Sequence, residues 1–144
     1  MRIDKALTFV AGELNQKGIP WRLFASGALM VWGVKIEPED IDIFVSKENV
    51  IKLEKTFEQF VANPTHPFTE EGREYLEFQM TVDGVKVEIC ELEDLGKLVT
   101  LNYLGEKIPV ASLQAELDYY KKHSKFGDRT PIIERRLHEI LTGK

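Results

Sequence analysis

Three acidic residues have the type and spacing that metal-dependent chemistry requires. Asp40 and Asp42 are one residue apart in the apolar run Asp-Ile-Asp-Ile-Phe-Val, and its alternation of polar and apolar residues predicts a β-strand. On a strand this spacing directs both carboxylates to one face, about 7 Å apart along the backbone. Carboxylates this close raise each other's pKa. A divalent cation between them would relieve the repulsion, so the pair indicates a metal site.

The third carboxylate, Glu88, belongs to a second predicted strand, on which Val87 and Ile89 face the opposite way. If the two strands are neighbours, Glu88 joins Asp40 and Asp42. Magnesium prefers oxygen ligands, and two ions about 3.5–4 Å apart can hold the attacking and leaving oxygens of a phosphoryl transfer. We therefore predict a catalytic and metal-binding site for two Mg²⁺ ions. The alternative is that the carboxylates are structural and do not meet.

A small-residue turn precedes the acidic strand. Ser26 and Gly27 follow an apolar strand-like run and open a short apolar segment that ends near Gly33. Such a turn lets backbone N–H groups approach a phosphate at the start of a helix. The alternative interpretation is an ordinary cap and tight turn.

The remaining pattern predicts the elements that position these residues. Helices are predicted at 3–14, after Ser46 with apolar positions as far as Phe60 and Val61, at 113–123, and from Thr130-Pro131 after a break at Gly127. Strands are predicted at 19–25, 40–45, 75–82 and 85–90, with a shorter pair within 101–110.

Two connections have clear local signals. Asp83-Gly84 predicts a two-residue hairpin turn, and the segment 63–72, with two prolines, predicts a loop. Mixed helices and strands of this kind favour an α/β (α+β) fold, with a mixed central β-sheet flanked by helices. The 144 residues fit a single domain, 1–144.

Composition and charge indicate which partners and which cellular compartment to expect. The net charge of −5 argues against a nucleic-acid partner, since phosphate contacts need a basic face. No apolar run approaches the roughly 20 residues of a membrane span, and the charged N-terminus does not resemble a signal peptide. We expect a cytoplasmic protein that does not enter membranes.

Cysteine and histidine are sparse in the chain. The single cysteine, Cys90, is expected to be a buried, inert thiol. His66, His123 and His138 are far apart in sequence, without the spacing of metal ligands. We therefore expect the three histidines to have surface or structural positions.

Several of these motifs together resemble a known family. The segment 23–28, then Gly33, then Asp40-Ile41-Asp42-Ile43, then Val87-Glu88-Ile89 resembles the polymerase-β-like nucleotidyltransferase superfamily. Within it, the chain looks most like the minimal group that includes aminoglycoside- and lincosamide-type enzymes and antitoxin-like members. The segments 103–105 and 108–113, then Lys121 and 127–129, are similar to the tail of those proteins. The resemblance covers most of residues 19–135.

The resemblance implies a nucleotidyltransferase-like fold and a role for each motif residue. Ser26 and Gly27 would hold the nucleoside triphosphate. Asp40 and Asp42 would bind both magnesium ions, and Glu88 would bind the catalytic ion and help to deprotonate the acceptor hydroxyl.

The resemblance also implies a reaction. Lys121 or Arg129 would contact phosphates, and a nucleoside monophosphate would pass from a nucleoside triphosphate such as ATP to a hydroxyl of a small molecule or protein. The alternative is a catalytically weak or inactive binding or regulatory protein, such as an antitoxin-like subunit, that associates with a protein partner or with itself.

The chain departs from the family pattern at three places. Ser26 stands where the family usually has glycine, and its Cβ fits a positive φ poorly. Pro38 replaces a small polar residue, and Glu37 and Glu39 add negative charge next to Asp40, which would repel a triphosphate unless they point outward.

Overall fold

The computed structural model describes residues 2–123 and 129–143. The helices are α1 (Arg2–Gln16), α2 (Ala25–Val31), α3 (Lys47–Thr56), α4 (Leu113–Lys122) and α5 (Thr130–Thr142). The strands are β1 (Arg22–Phe24), β2 (Asp40–Val45), β3 (Val61–Glu70), β4 (Arg73–Val82), β5 (Val85–Glu91), β6 (Val99–Tyr103) and β7 (Glu106–Val110). The predicted break at Gly127 lies outside the described residues.

A five-stranded mixed sheet in the order β1-β2-β5-β4-β3 is the centre of the fold. The β2 and β5 strands are parallel, and the other pairs in this sheet are antiparallel. The predicted mixed sheet flanked by helices is therefore confirmed. The Asp83-Gly84 hairpin joins β4 to β5, and both turn residues have positive φ (51° and 79°), as a type I′ turn requires.

One face of the sheet is covered by apolar packing. Alternation along β2 places Ile41, Ile43 and Val45 on this face, while the intervening residues are only partly buried. The helices α1 and α3 cover it with Leu7, Val10 and Leu53, among others. This leaves the opposite face of the sheet available for polar side chains.

Two smaller units complete the fold. The hairpin of β6 and β7 packs against α1 and β1. The helices α4 and α5 join the C-terminal part of α2 in a second apolar cluster that contains Leu29, Leu117 and Ile133. Ser46 and Ser112 cap α3 and α4, each hydroxyl accepting a hydrogen bond from the backbone N–H three residues later.

The predicted extension of α3 to Val61 and the predicted loop at 63–72 are both wrong. The helix ends at Thr56, a short 3₁₀ turn follows, and β3 occupies Val61–Glu70. Because β3 is the outermost strand, Pro64 and Pro67 remove only hydrogen bonds that the sheet does not need. Register shifts between Val61 and His66 mark bulges that accommodate the irregular sequence.

The last helix also begins differently from the prediction. Arg129, not Thr130, is its N-cap, and no side chain caps the helix there. The proline follows in the first turn, where its missing N–H costs little. Within the described parts of the chain, none of the helices has the length and apolar character needed to cross a membrane.

Candidate functional site

The three predicted carboxylates lie on the open face of the sheet, opposite the apolar packing. Asp42 is directly paired with Glu88 across the parallel strands β2 and β5, whose backbones are about 4.8 Å apart in any sheet. Asp40 is two residues away on the same face and is paired with Lys86. The structure therefore brings Asp42 and Glu88 together, with Asp40 on the same face of the sheet.

These side chains form the floor of a cavity of about 430 Å³. The start of α2 and the end of α4 form one wall, and the far part of the β3–β4 hairpin forms the other. Its lining comprises Phe24, Ala25, Ser26, Asp40, Asp42, Phe44, Phe68, Glu70, Tyr75, Glu77, Gln79, Glu88, Cys90, Tyr119, Tyr120 and Arg129. This volume is within the range of small-molecule sites, about 300–1,000 Å³.

The environment of the two aspartates disfavours their charged forms. The pKa of Asp42 is raised to about 8, chiefly by burial and then by the neighbouring Asp40 and a hydrogen bond with Glu88. The pKa of Asp40 is also raised, chiefly by burial and then by Glu88. Lys86 compensates in part, since its Nζ lies 2.9 Å from Glu88 Oε1, and this contact raises the pKa of Lys86. Lys86 and, at Asp40, Arg129 therefore offset only part of the cost of charging these buried carboxylates.

The turn before the acidic strand differs in detail from the prediction. The positive φ falls on Ala25 (60°), not on Ser26. Ser26 lies in the first turn of α2, only 6% exposed, and lines the cavity. Gly27 lies behind it, where an added Cβ would be 3.2 Å from Leu23 Cδ1. Gly27 thus allows α2 to approach β1 closely, and Ser26 is the residue of the pair that reaches the cavity.

The two predicted phosphate contacts have different positions. Arg129 lines the cavity and donates a hydrogen bond from Nη1 to the Tyr120 hydroxyl oxygen at 3.2 Å. Lys121 is exposed in the last turn of α4, outside the set of described residues that line the cavity. Glu37 and Glu39 are exposed and do not line the cavity, although Glu39 is near enough to contribute to the raised pKa of Asp40.

Sequence reasoning missed the contribution of β4. Glu77 and Gln79 line the cavity beside the predicted carboxylates, and Gln79 Nε2 donates to Glu88 Oε1 at 3.4 Å. A signal was present, because a two-residue turn at Asp83-Gly84 fixes the register that pairs Gln79 with Glu88 and Glu77 with Cys90. Glu77 is 5% exposed, so it is a buried acid in the same site.

A second cavity of about 390 Å³ adjoins the first. The two share Phe24, Phe44, Glu70, Tyr75 and Tyr119. The ring of Phe24 lies between those of Phe44 and Tyr119, with centroids 4.9 and 5.1 Å away. The two cavities therefore share an aromatic lining, and the carboxylates Asp40, Asp42 and Glu88 line only the first.

Comparison with known proteins finds solved structures that are similar to this chain, but no match to a protein family or a curated protein. No protein-family model matches the chain, and no curated protein matches it. A candidate nucleotidyltransferase from Thermotoga maritima superposes with a TM-score of 0.74 at 25% identity, over 97% of this chain and 92% of that one.

Two more distant structures have the same fold. An antigenic nucleotidyltransferase-like protein from Paracoccidioides brasiliensis has a TM-score of 0.56 at 16% identity, covering 94% of this chain and 75% of its own. The protein ANT(2″)-Ia, solved in complex with adenylyl-2″-tobramycin, has a TM-score of 0.58 at 13% identity, covering 90% and 84%. The chain therefore has a nucleotidyltransferase fold, which confirms the resemblance found in the sequence.

Proposed function

We propose that the chain, as a single domain of residues 1–144, is a magnesium-dependent nucleotidyltransferase that moves a nucleoside monophosphate from a nucleoside triphosphate to a hydroxyl of a small molecule or protein. One observation carries the proposal. Asp42 and Glu88 are paired on adjacent strands, with Asp40 on the same face, at the floor of a cleft in a nucleotidyltransferase fold.

Magnesium fits the residues present. Asp40, Asp42 and Glu88 offer only oxygen donors, which magnesium prefers. Burial, and after it the neighbouring carboxylates, raises the pKa of both aspartates, and a bound cation would favour their charged forms. Asp40 and Asp42 would hold both ions and Glu88 the catalytic one. When bound, magnesium would neutralise the triphosphate and acidify the acceptor hydroxyl.

The residues of the chain would position the reactants and move one proton. The acceptor oxygen forms a bond to the α-phosphorus, the bond to the β-phosphate oxygen breaks, and pyrophosphate leaves. Glu88 takes the proton of the acceptor hydroxyl. Ser26, at the start of α2, and Arg129 would contact the phosphates, and Gly27 keeps α2 close to β1. Most of the rate enhancement would come from positioning and charge neutralisation.

The adjoining cavity is our candidate for the acceptor subsite. It opens directly from the carboxylate cavity and is lined by both acidic and basic side chains, including Arg22, Arg73, Glu71 and Glu91. The aromatic rings of Phe24, Phe44 and Tyr119 line both cavities, so they would lie between the nucleotide and the acceptor. An acceptor with both hydroxyl and charged groups suits this lining.

One contact favours the alternative of a weak or inactive binding protein. The Lys86 ammonium, 2.9 Å from Glu88 Oε1, occupies a carboxylate oxygen that an ion would need. If Lys86 permanently replaces the ion, the wild-type chain will not bind magnesium, and Lys86→Gln will gain binding. If Lys86 simply moves aside, both forms will bind it.

Isothermal titration calorimetry with ATP and GTP, with magnesium and then with EDTA, tests the proposal. We expect magnesium-dependent binding of at least one nucleotide, and loss of that binding in Glu88→Gln. The variant Asp118→Asn is a matched control, because Asp118 is an exposed acid on α4. Absence of any heat from the wild-type protein with magnesium would contradict the proposal.

A further inference from the structure

Arg129 has the more flexible side chain of the two residues that would contact the phosphates. It is the N-cap of α5 and lines the cavity that has Asp40, Asp42 and Glu88 in its floor. An arginine side chain has several rotatable bonds, and their freedom is lost when its planar guanidinium binds a phosphate. A contact that holds the side chain in advance would therefore strengthen this binding.

Tyr120 makes two contacts with this guanidinium. Its hydroxyl oxygen accepts the hydrogen bond from Arg129 Nη1 at 3.2 Å. The Arg129 Cζ lies 5.6 Å from the centroid of the Tyr120 ring, which is within the range of a cation–π contact. The hydrogen bond holds one N–H group and the ring holds the central carbon, so together they restrict both the position and the orientation of the guanidinium.

The Tyr120 hydroxyl orients the guanidinium without cancelling its charge. Burial raises the pKa of this hydroxyl, and the hydrogen bond from Arg129 opposes the rise only in part, so the group is neutral at pH 7. A carboxylate in the same place would form an ion pair and compete with a phosphate for the arginine. A neutral oxygen does not compete in this way.

Tyr120 is itself held in place by packing. It is 3% exposed and belongs to the second apolar cluster, which joins α2, α4 and α5 and contains Leu29 and Ile133. A tyrosine has only two χ angles, so packing on these sides leaves its ring little freedom. The first turn of α2 also carries Ser26. One apolar cluster therefore positions both Ser26 and, through Tyr120, Arg129.

We propose that Tyr120 is a positioning residue, whose ring and hydroxyl hold the Arg129 guanidinium ready to contact the phosphates of the nucleotide. The inference rests on the proposed function, because it assigns Tyr120 a role in nucleotide binding at the same site. The alternative is a structural contact, in which Arg129 only satisfies the hydroxyl of a core tyrosine. Loss of the hydroxyl would then lower stability without lowering nucleotide affinity through Arg129.

A double-mutant cycle tests the coupling between Tyr120 and Arg129. Isothermal titration calorimetry of ATP and GTP with magnesium compares the wild type, Tyr120→Phe, Arg129→Gln and the double variant. Tyr120→Phe removes the hydroxyl and keeps the packed ring, so it should weaken nucleotide binding about three- to tenfold, the fold-change that corresponds to one hydrogen bond. In the Arg129→Gln background the same change should alter the affinity by less than about twofold, because the hydroxyl then has no arginine to hold.

Tyr103→Phe is the matched control for removal of a hydroxyl. The Tyr103 hydroxyl donates a hydrogen bond to Asp4 Oδ1 at 2.6 Å, but Tyr103 lies outside the set of described residues that line the cavity. This variant should bind nucleotide like the wild type. Equal affinity of Tyr120→Phe and the wild type, or an equal loss in both backgrounds, would overturn the inference and leave the proposed function intact. A wild-type protein that binds neither nucleotide would contradict the proposed function and, with it, this inference.

An arginine variant keeps the test independent of any effect of the tyrosine change on folding. Arg129→Lys retains the positive charge but has no planar guanidinium for Tyr120 to orient. If the orientation matters, Arg129→Lys should lose most of the affinity that Arg129→Gln loses. Wild-type affinity in Arg129→Lys would show that charge alone is sufficient, which contradicts a positioning role for Tyr120.

Discussion

We expect the Asp42 carboxylate to be required for magnesium binding but to destabilise the metal-free protein. Its carboxyl group is largely buried next to Asp40 and Glu88, and its pKa rises from an ordinary 3.8 to about 8. A raised pKa means that the folded state disfavours the charged form. The substitution Asp42→Asn removes this charge and keeps the shape of the side chain, so it should stabilise the metal-free protein while eliminating its binding of magnesium.

The size of the effect follows from the two pKa values. At pH 7 an unfolded aspartate is ionised, whereas folded Asp42 is mostly protonated, and this uptake of a proton costs about 4 kcal/mol at about 1.36 kcal/mol per pKa unit. The asparagine amide also loses hydration in the same place. We therefore expect a net gain of about 2 kcal/mol, which is a rise in Tm of about 4–8 °C for a chain of this length.

The pH dependence distinguishes this cause from a general effect on packing. The cost to the wild-type protein is fully present above pH 8 and is lost as the pH falls towards 4, because the unfolded carboxyl then also binds a proton. Thermal unfolding in EDTA at pH 4, 6 and 8 should show a Tm advantage of Asp42→Asn that grows with pH. Asp118→Asn should show no such trend. An advantage that is absent at pH 8, or the same at every pH, would refute the reasoning.

Three further predictions concern the elements that position the site, each measured as a change in free energy of urea unfolding. Ala25→Gly should stabilise the protein by about 0.5 kcal/mol, because relief of the positive φ exceeds the entropy cost of glycine; a clear loss would contradict this. Gly27→Ala should cost about 1–2 kcal/mol, since the new Cβ would press on Leu23. Ser112→Ala should cost about 1 kcal/mol through loss of the cap that accepts from the Ala115 N–H.

Much of the site region follows from local patterns in the sequence. The strand at Asp40–Val45 was predictable residue by residue, because strict alternation separates its apolar face from its acidic one. The turn at Asp83-Gly84 fixed the β4–β5 pairing for the same local reason. Once the fold is known to place β5 beside β2, the meeting of Asp42 with Glu88 follows from strand register alone.

Other features depend on information that a local pattern does not contain. The strand β3 was not predictable, since its two prolines are tolerated only because tertiary structure places it at an edge. The alignment of His66, Glu77 and Cys90 across the sheet was also not visible, because the three residues lie on three different strands. The positive φ at Ala25 results from the packing of α2 against β1. It could not be predicted, because alanine, unlike glycine or asparagine, is not typical of a positive φ.

The composition of β3 also limits how this protein can associate. A sheet edge with regular free N–H groups invites a strand from another molecule to pair with it. Here Pro64 and Pro67 cannot donate such bonds, register shifts distort the early part of β3, and at the opposite edge β1 has only three residues. Pairing of the five-stranded sheet with the same sheet of another copy is thereby disfavoured at both edges, which lowers the risk of fibrous aggregation through this sheet.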